Sequence, residues 1–291
     1  MDLRNNKILI IGTTVLDILV QKSTNKAYIM TGGKGYNIAT NISTLGGPVS
    51  LSSSIGKDEY SKKIRVELKN NSIKLVSPSS KENVTGVYFS LFDGSSEPIF
   101  DANRIPRLTD NVLPKDISKY QTICVISGVE NSVYVAISKA KKVNNNIKFC
   151  VSLSGRKSVD EVVEYVKNID LLLCNKKEAV ALIQKIDSAF QISNTEACLD
   201  ILCTAGVRAV VITDGENGIY FKDKEGDGKI KAVKVNKVVS ALGAGDSVVA
   251  TVLYEYISLN KPLIEACKTA SLISAKVVSQ KSSLILKTKK I

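Results

Sequence analysis

Short apolar runs alternate with amphipathic segments through the second half of the chain. The apolar runs, rich in β-branched residues, span 122–127, 147–153, 170–174 and 209–213. Helical patterns separate and follow them at 132–142, 158–168, 177–186 and 195–205. Buried strands that alternate with helices are typical of a parallel sheet covered on both faces. The pattern therefore predicts an α/β fold, and we expect 8–12 and 49–55 to join the same sheet.

A second pattern interrupts the first half of the chain. Segments 86–92 and 97–102 alternate apolar and polar residues around Asp93-Gly94-Ser95-Ser96, a sequence suited to a hairpin turn. With residues near 19–30 they predict a small antiparallel sheet, placed to act as a lid. Because no repeat or long linker is evident, we predict one domain over 1–291 with a β lid at about 13–31 and 84–104.

Bulk composition is that of a globular protein, since 44% of the 291 residues are hydrophobic and 23% are charged. The first apolar run, 8–12, is too short for a signal peptide or a membrane span. The six cysteines include no C-x-x-C pair and mostly lie in apolar runs. We therefore predict buried, reduced thiols in a cytoplasmic protein with no membrane partner.

The sequence contains no histidine. That absence excludes Ser-His-Asp and Cys-His relays, and it excludes zinc sites built on imidazole. Proton transfer must then use a carboxylate, lysine, tyrosine or cysteine.

Lysine and arginine outnumber acidic residues by 40 to 28, a net charge of +12. A nucleic-acid-binding protein is one interpretation of this excess, and an enzyme with an anionic small substrate is the other. The lysines are spread along the chain, their densest cluster is Lys287-Thr288-Lys289-Lys290, and only 5% of residues are aromatic. We favour the small substrate and expect no nucleic-acid partner.

The sharpest motif is Gly243-Ala244-Gly245-Asp246, which is followed by an apolar helical stretch over 247–256. Small residues at a helix start let backbone N–H groups approach an anion, and the helix dipole adds positive potential there. With one carboxylate as base, this arrangement meets the needs of phosphoryl transfer without histidine. The alternative is an ordinary glycine turn in which Asp246 only begins a helix.

Two further motifs lie near the start of the chain. Gly32-Gly33-Lys34-Gly35-Tyr36-Asn37 resembles a glycine-rich loop entering a helix, although it is neither a Walker A loop nor a dinucleotide fingerprint. Asp17 follows the first apolar run, where α/β proteins bind ligands at strand ends. A packing turn and a solvated loop aspartate, respectively, are the simpler interpretations.

Together these motifs resemble the ribokinase/pfkB family of sugar and nucleoside kinases over nearly the whole chain. In family order the matching segments are Gly12…Asp17, Gly32-Gly33…Asn37, Gly56-Lys57-Asp58, Asn175-Lys176-Lys177-Glu178, Thr213-Asp214-Gly215…Gly218 and Gly243-Ala244-Gly245-Asp246. The resemblance implies a ribokinase-like three-layer α/β/α sandwich with a mainly parallel sheet and a β lid.

The resemblance also implies a role for each matching residue. Asp246 would be the general base, and the N–H groups of Gly243, Ala244 and Gly245 would form the anion hole. The substrate-binding residues would be Asp17, Gly33, Lys34, Asn37, Asn103 and Glu130. The nucleotide-binding residues would be Asn175, Thr213, Gly215 and Gly218. Glu178 would hold Mg²⁺ through water, with ATP as co-substrate and a monovalent cation as a further candidate. A homodimer formed through the lid is also implied.

The sequence of the predicted lid narrows the choice of molecule that would accept the phosphoryl group. Segment 85–93 with Asp101-Ala102-Asn103 looks most like the lid of pseudouridine kinases, and Ser154…Lys157 resembles a Ser-x-x-Lys of that branch. Our hypothesis is the conversion of pseudouridine to its 5′-phosphate. Ribokinase-like, fructokinase-like and other nucleoside kinases remain alternatives.

Two departures from the family pattern keep a catalytically impaired sugar-binding relative open as a further alternative. Carboxylates common in the family are absent at Val151 and Ser240. Their absence could change metal use.

Overall fold

The computed structural model describes residues 8–77, 84–92, 99–190, 194–280 and 282–286. In chain order the strands are β1 Ile8–Ile11, β2 Val15–Gln21, β3 Lys26–Gly32, β4 Val49–Ser52, β5 Lys74–Leu75, β6 Gly86–Phe92, β7 Phe100–Arg104, β8 Thr122–Ile126, β9 Lys148–Ser152, β10 Leu171–Asn175, β11 Val210–Thr213, β12 Ile219–Asp223 and β13 Gly226–Ile230. The α-helices are α1 Lys34–Thr44, α2 Glu59–Asn70, α3 Asn131–Val143, α4 Lys176–Ile186, α5 Thr195–Thr204, α6 Ala244–Val252 and α7 Leu263–Val278.

Nine of these strands form one sheet in the order β13-β12-β11-β10-β9-β8-β1-β4-β5. Pairing is parallel from β5 through β11, and β12 and β13 are antiparallel. Successive side chains of β1 alternate between two cores: Leu9 and Ile11 pack with residues of α3, α4 and α5, whereas Ile8 and Ile10 pack with residues of α1, α2, α6 and α7. Because both faces are covered, the predicted three-layer α/β/α fold is confirmed.

A separate four-stranded sheet has the order β3-β2-β6-β7. β2 pairs in parallel with β6, and the other two pairs are antiparallel, so the prediction of a wholly antiparallel sheet was wrong. β2 and β6 can be parallel because the chain between them is long and includes α1, β4, α2 and β5. Through these elements the chain returns to the end of the small sheet at which β2 begins. The turn predicted at 93–96 lies outside the described residues, and the division into one domain with a lid stays a prediction.

Two predicted elements differ in the structure. The helix predicted at 158–168 was wrong, because that segment holds only 3₁₀ turns at Arg156–Ser158 and Val163–Asn168. β-branched valines weaken helix propensity here, and the Ser158 hydroxyl donates instead to the Gly155 carbonyl at 2.7 Å. The strand predicted at 97–102 spans Phe100–Arg104, with 93–98 outside the described residues. None of the described helices is both long and apolar enough to cross a membrane.

Candidate active site

The carboxyl ends of the central parallel strands face the small sheet across a cavity of about 560 Å³. Ten of the residues singled out from the sequence line it: Asp17, Gly33, Lys34, Asn37, Asn175, Glu178, Thr213, Gly243, Gly245 and Asp246. Residues more than two hundred positions apart therefore meet at one edge of the sheet, where α/β folds bind ligands.

Asp246 lies in the first turn of α6. Gly243 precedes this helix with φ of 79°, a left-handed conformation that glycine adopts without strain, and no side chain caps the helix. The first N–H groups of a helix lack intrahelical acceptors, and here the Ala244 N–H makes only a long bond, of 3.4 Å, to the Ala241 carbonyl. Such a helix start suits a phosphate group.

The Asp246 carboxylate is 9% exposed and accepts a hydrogen bond from Asn37 Nδ2 at 2.8 Å. Burial raises its pKa above the ordinary value. The Lys34 ammonium and the Asn37 hydrogen bond lower that pKa without cancelling the rise, and the Glu178 charge adds to it. A carboxylate with a raised pKa, held in one orientation, is suited to accept a proton.

Asp17 is a strand residue rather than the loop residue that the sequence suggested. It lies in β2 opposite Met30 of β3 and Tyr88 of β6. A Cβ atom at Gly32 would lie 1.8 Å from Asp17 Oδ2, so glycine at that position leaves room for the carboxylate. Burial, and secondarily the Asp246 charge, raises the pKa of Asp17 to about 6.

The start of α1 supplies the cationic side of the cavity. Gly33 has φ of 90°, and a Cβ there would lie 2.7 Å from the Thr13 carbonyl oxygen. Only glycine therefore lets the backbone at this position lie so close to the β1–β2 turn. Lys34 Nζ donates to the Leu153 carbonyl at 3.4 Å. This bond ties the lysine to the loop after β9.

Glu178 and Asn175 form a reciprocal cap at the start of α4. The Asn175 side chain accepts from the Glu178 N–H at 2.9 Å, and Glu178 Oε2 accepts from the Asn175 N–H at 2.9 Å. Glu178 Oε1 accepts from the Gly155 N–H at 2.7 Å. Each Glu178 oxygen accepts one of these bonds, and the residue lines the cavity. The described residues offer no cluster of three acidic or thiol groups for a metal ion. This donor set fits a magnesium ion that keeps its waters, and it does not fit an all-protein cage.

A second cavity of about 1030 Å³ adjoins the first and shares Thr213, Ala241, Gly245 and Val248 with it. The remaining candidates Gly215, Gly218 and Ala244 line this cavity. Its walls also carry Lys229, Lys231 and Lys234, beside apolar side chains contributed by valines and alanines. A charged and apolar lining of this kind fits the phosphates and the flat base of a nucleotide.

Two predicted substrate contacts lie outside both cavities. Asn103 is exposed on β7, where it is opposite Tyr88 in the strand register. Glu130 is exposed at the start of α3, and its N–H donates to Leu108 O. Asn103 nevertheless shares a face of the small sheet with Tyr88 and Asp17, because partners in strand register point to the same face. Glu130 comes just before α3 and lines neither cavity.

One of the two positions that departed from the family pattern does not face the site. Val151 is fully buried in the core, and its neighbour Ser152 lines the cavity instead, as strand alternation requires. The Ser240 hydroxyl accepts from the Leu242 N–H at 3.2 Å in the loop before α6.

Several lining residues were not identified from the sequence. Tyr88 and Met30 come from the small sheet, Ser152 from the end of β9, and Ser283 from the chain after α7. The position of Ser152 at a strand end was a usable signal, because parallel strands place their carboxyl ends at the binding edge. Ser283 carried no such signal.

The pfkB family carbohydrate kinase model matches residues 6–289. The chain belongs to this family. The bifunctional protein HldE of Sulfurimonas denitrificans is 30% identical over 85% of the chain, which spans about half (53%) of that protein. The pseudouridine kinase of Escherichia coli is 25% identical, with 84% of this chain and 81% of that protein covered.

The fold agrees with the family. A ribokinase from Cryptococcus neoformans var. grubii, solved in complex with ADP, superposes with a TM-score of 0.78 at 18% identity, covering 96% of each chain. The ribokinase-like fold is thereby confirmed, and the protein is a phosphotransferase of the sugar and nucleoside kinase type.

Proposed function

We propose that this pfkB-family kinase transfers the γ-phosphoryl group of ATP to the hydroxymethyl group of a nucleoside, with pseudouridine as the acceptor. The observation that carries this proposal is the buried Asp246 carboxylate at the uncapped start of α6. This helix start lies between the first cavity, beside the small sheet, which we name the lid cavity, and the second cavity, which carries the three lysines. The acceptor would occupy the first cavity and ATP the second.

In this mechanism Asp246 removes the proton of the acceptor hydroxymethyl group as its oxygen attacks the γ-phosphorus. The bond from that phosphorus to the β-phosphate oxygen breaks, and ADP leaves. The N–H groups of Gly243, Ala244 and Gly245 stabilise the charge on the transferred group. Asp17, Gly33, Lys34 and Asn37 would hold the acceptor hydroxyls, while Asn175, Thr213, Gly215 and Gly218 would contact the nucleotide.

Glu178 would hold the waters of a magnesium ion, consistent with its place in the lining of the lid cavity. When bound, the ion neutralises charge on the phosphate oxygens. A monovalent cation is a further candidate cofactor from the family resemblance.

A side cavity of about 360 Å³ supports a nucleoside rather than a bare sugar. It meets the lid cavity at Thr13, Ile105 and Ser154 and also carries Ser127 and Arg107. The Ser127 hydroxyl already bonds to the Ser158 hydroxyl and accepts from the Ser154 N–H. Arg107 donates to the Val129 carbonyl and pairs with Glu161. The remaining N–H donors of Arg107 can pair with a carbonyl group of a pyrimidine base. A ribose or fructose alone has no group to fill this space. Ribose, other nucleosides and fructose remain alternative acceptors, because relatives named ribokinase, guanosine-inosine kinase and fructokinase are 24–26% identical to this chain.

An ADP-release screen with Mg²⁺-ATP tests the acceptor. The candidates are ribose, fructose, pseudouridine, uridine, adenosine and inosine. We expect the highest kcat/KM with pseudouridine. A higher kcat/KM with ribose or fructose would contradict the nucleoside assignment, and no ADP release with any of the six would contradict the kinase proposal.

Replacing the base tests the mechanism. Asp246→Asn should lower kcat by about 10²–10⁴-fold, the range expected for loss of a general base. Asp160→Asn is the matched control, because Asp160 is exposed and only pairs with Lys185 at the surface. Unchanged turnover in Asp246→Asn would contradict its role as general base, whereas ligand binding without ADP release in the wild-type protein would favour a sugar-binding relative.

Two further expectations concern the protein in the cell. Tyr28 and Ile29 are exposed on opposite faces of the edge strand β3, and this exposed edge supports a homodimer formed through the lid. All six cysteines are free, and five of them are buried, which supports a reducing, cytoplasmic location.

A further inference from the structure

Asn41 is a polar residue in a position that helix packing would otherwise fill with an apolar one. It lies in α1 and is 0% exposed, and its neighbours Ile38, Ala39 and Ile42 are all core residues. Burying an amide without hydrogen bonds costs free energy. A buried asparagine on such a helix therefore calls for a partner that justifies it.

That partner is distant in the sequence. Asn41 Oδ1 accepts a hydrogen bond from the Ile285 N–H at 2.8 Å, across 244 positions of the chain. Asn41 Nδ2 has no partner among the described residues, so the side chain acts as an acceptor for this one contact. Ile285 belongs to residues 282–286, which we name the C-terminal strap.

The strap lies directly against the start of α6. A Cβ atom at Gly243 would be 2.0 Å from the Ser283 carbonyl oxygen, so the two backbones are as close as glycine allows. Ser283 lines the same cavity as Gly243 and Asp246. Gln280 Nε2 donates to the Leu284 carbonyl at 2.6 Å, and Leu284 packs on the core, which gives the strap its shape.

One face of α1 thereby contacts both parts of the phosphoryl-transfer region. Asn37 and Asn41 are four residues apart and lie on the same face of the helix. Asn37 binds the Asp246 carboxylate, and Asn41 binds the strap that covers Gly243. α1 also packs against α6.

We propose that Asn41 is a positioning residue that fixes the Gly243 loop by anchoring the C-terminal strap to α1. The inference rests on the proposed function, since the loop is the proposed anion hole. Without the anchor, the strap detaches from α1 and the N–H groups at the start of α6 lose their fixed direction. Transition-state stabilisation then falls, while the acceptor contacts made by Asp17 and Asn37 are retained.

The test uses Asn41→Leu, which keeps the branched shape of the side chain and removes the acceptor. Because leucine is larger than asparagine, urea unfolding checks that the variant is still folded. We expect kcat to fall about tenfold, the acceptor KM to stay within about twofold, and the Ile285 amide to exchange hydrogen faster. Asn41→Asp retains an oxygen at the same place and should restore most of the lost kcat.

Ser43→Ala is the matched control. Ser43 is also on α1, and its hydroxyl donates to the Asn71 carbonyl at 2.5 Å, away from the site. An equal loss of kcat in Ser43→Ala, or a wild-type kcat in Asn41→Leu, would overturn the inference alone. No activity in the wild-type protein would overturn the proposed function and the inference with it.

Discussion

The carboxylates of the site are held in surroundings that disfavour their charge. Asp246 is buried and Asp17 is half-buried, and each has a raised pKa for which burial is the main cause. Ionised groups of this kind cost folding free energy at neutral pH, because the unfolded chain would hydrate them. Retaining them at the cavity is a trade of stability for function.

Asp17→Asn should therefore stabilise the fold at neutral pH. The folded pKa is about 6 against 3.8 in the unfolded chain, so the cost is present above pH 6 and disappears as the pH falls toward 4. We expect a gain of about 1–2 kcal/mol at pH 7.5 and none at pH 4, measured by urea unfolding. The acceptor KM should rise at least about tenfold, because a hydroxyl contact is weakened.

Asp58→Asn serves as the control of opposite sign. Burial raises the pKa of Asp58, but hydrogen bonds from the Thr85 hydroxyl and the N–H groups of Thr85 and Ser61 outweigh it and lower that pKa overall. Its replacement should destabilise the protein at pH 7.5. A stability gain in Asp58→Asn, or none in Asp17→Asn, would contradict this electrostatic account.

At the scale of elements, Gly243 and Gly245 at the start of α6 have different structural roles. Gly243 has a left-handed φ and abuts the strap, whereas a Cβ at Gly245 would meet no atom within 4 Å. Gly243 is therefore required by the fold. Gly245 is required only if something else approaches it from the cavity.

Substitution by alanine should separate these roles. Gly243→Ala should destabilise the protein by about 2–4 kcal/mol, through backbone strain and a clash with Ser283. Gly245→Ala should leave stability equal or slightly higher, because alanine favours helix, yet lower kcat/KM for ATP by at least about tenfold. Thermal unfolding and steady-state kinetics give both values. Full activity in Gly245→Ala would contradict the placement of phosphate at this helix start.

The accuracy of sequence-based prediction varied among the elements for physical reasons. The strands at 122–127 and 209–213 were predicted within one residue. Short, continuously apolar runs of this kind are typical of strands that are buried on both faces of a parallel sheet. The 158–168 segment has helical spacing, but its local side-chain bonds and valines favour 3₁₀ turns. The Ser158 hydroxyl also bonds to the Ser127 hydroxyl, a contact between distant residues that the helical spacing of the sequence does not indicate.

The candidate site was predictable where short motifs carry it and unpredictable where topology does. Asp246 and Gly33 lie in glycine-rich segments that are visible in the sequence, and the family resemblance supplied their roles. Ser283 and Tyr88 reach the cavity only because the strap and the small sheet fold over it. Glu130 was placed by a loose match and lines neither cavity, whereas Asn103 shares a face of the small sheet with Tyr88 and Asp17.

At the scale of the whole molecule, the small sheet leaves an apolar surface. Tyr28 and Ile29 are 42% and 51% exposed on opposite faces of its edge strand β3. A second copy of the chain pairing there would bury them and cover the edge.

Ile29→Glu should therefore shift the protein toward the monomer. A charge at this position would have to be buried in the dimer without a partner, so the dimer dissociation constant should rise at least about tenfold. Sedimentation velocity across a concentration series measures the change, with Val66→Glu on exposed α2 as control. A wild-type protein that stays monomeric at high concentration would contradict lid-mediated pairing.

The hydrogen bond between Asn37 and Asp246 also has a consequence for folding kinetics. It joins residues 209 positions apart, so the site exists only after nearly the whole sheet has assembled between them. Contacts of such long range form slowly, since the chain entropy of closing the loop must be lost first. During refolding, helical signal should recover before catalysis does, and returning enzyme activity would time the last stage of assembly.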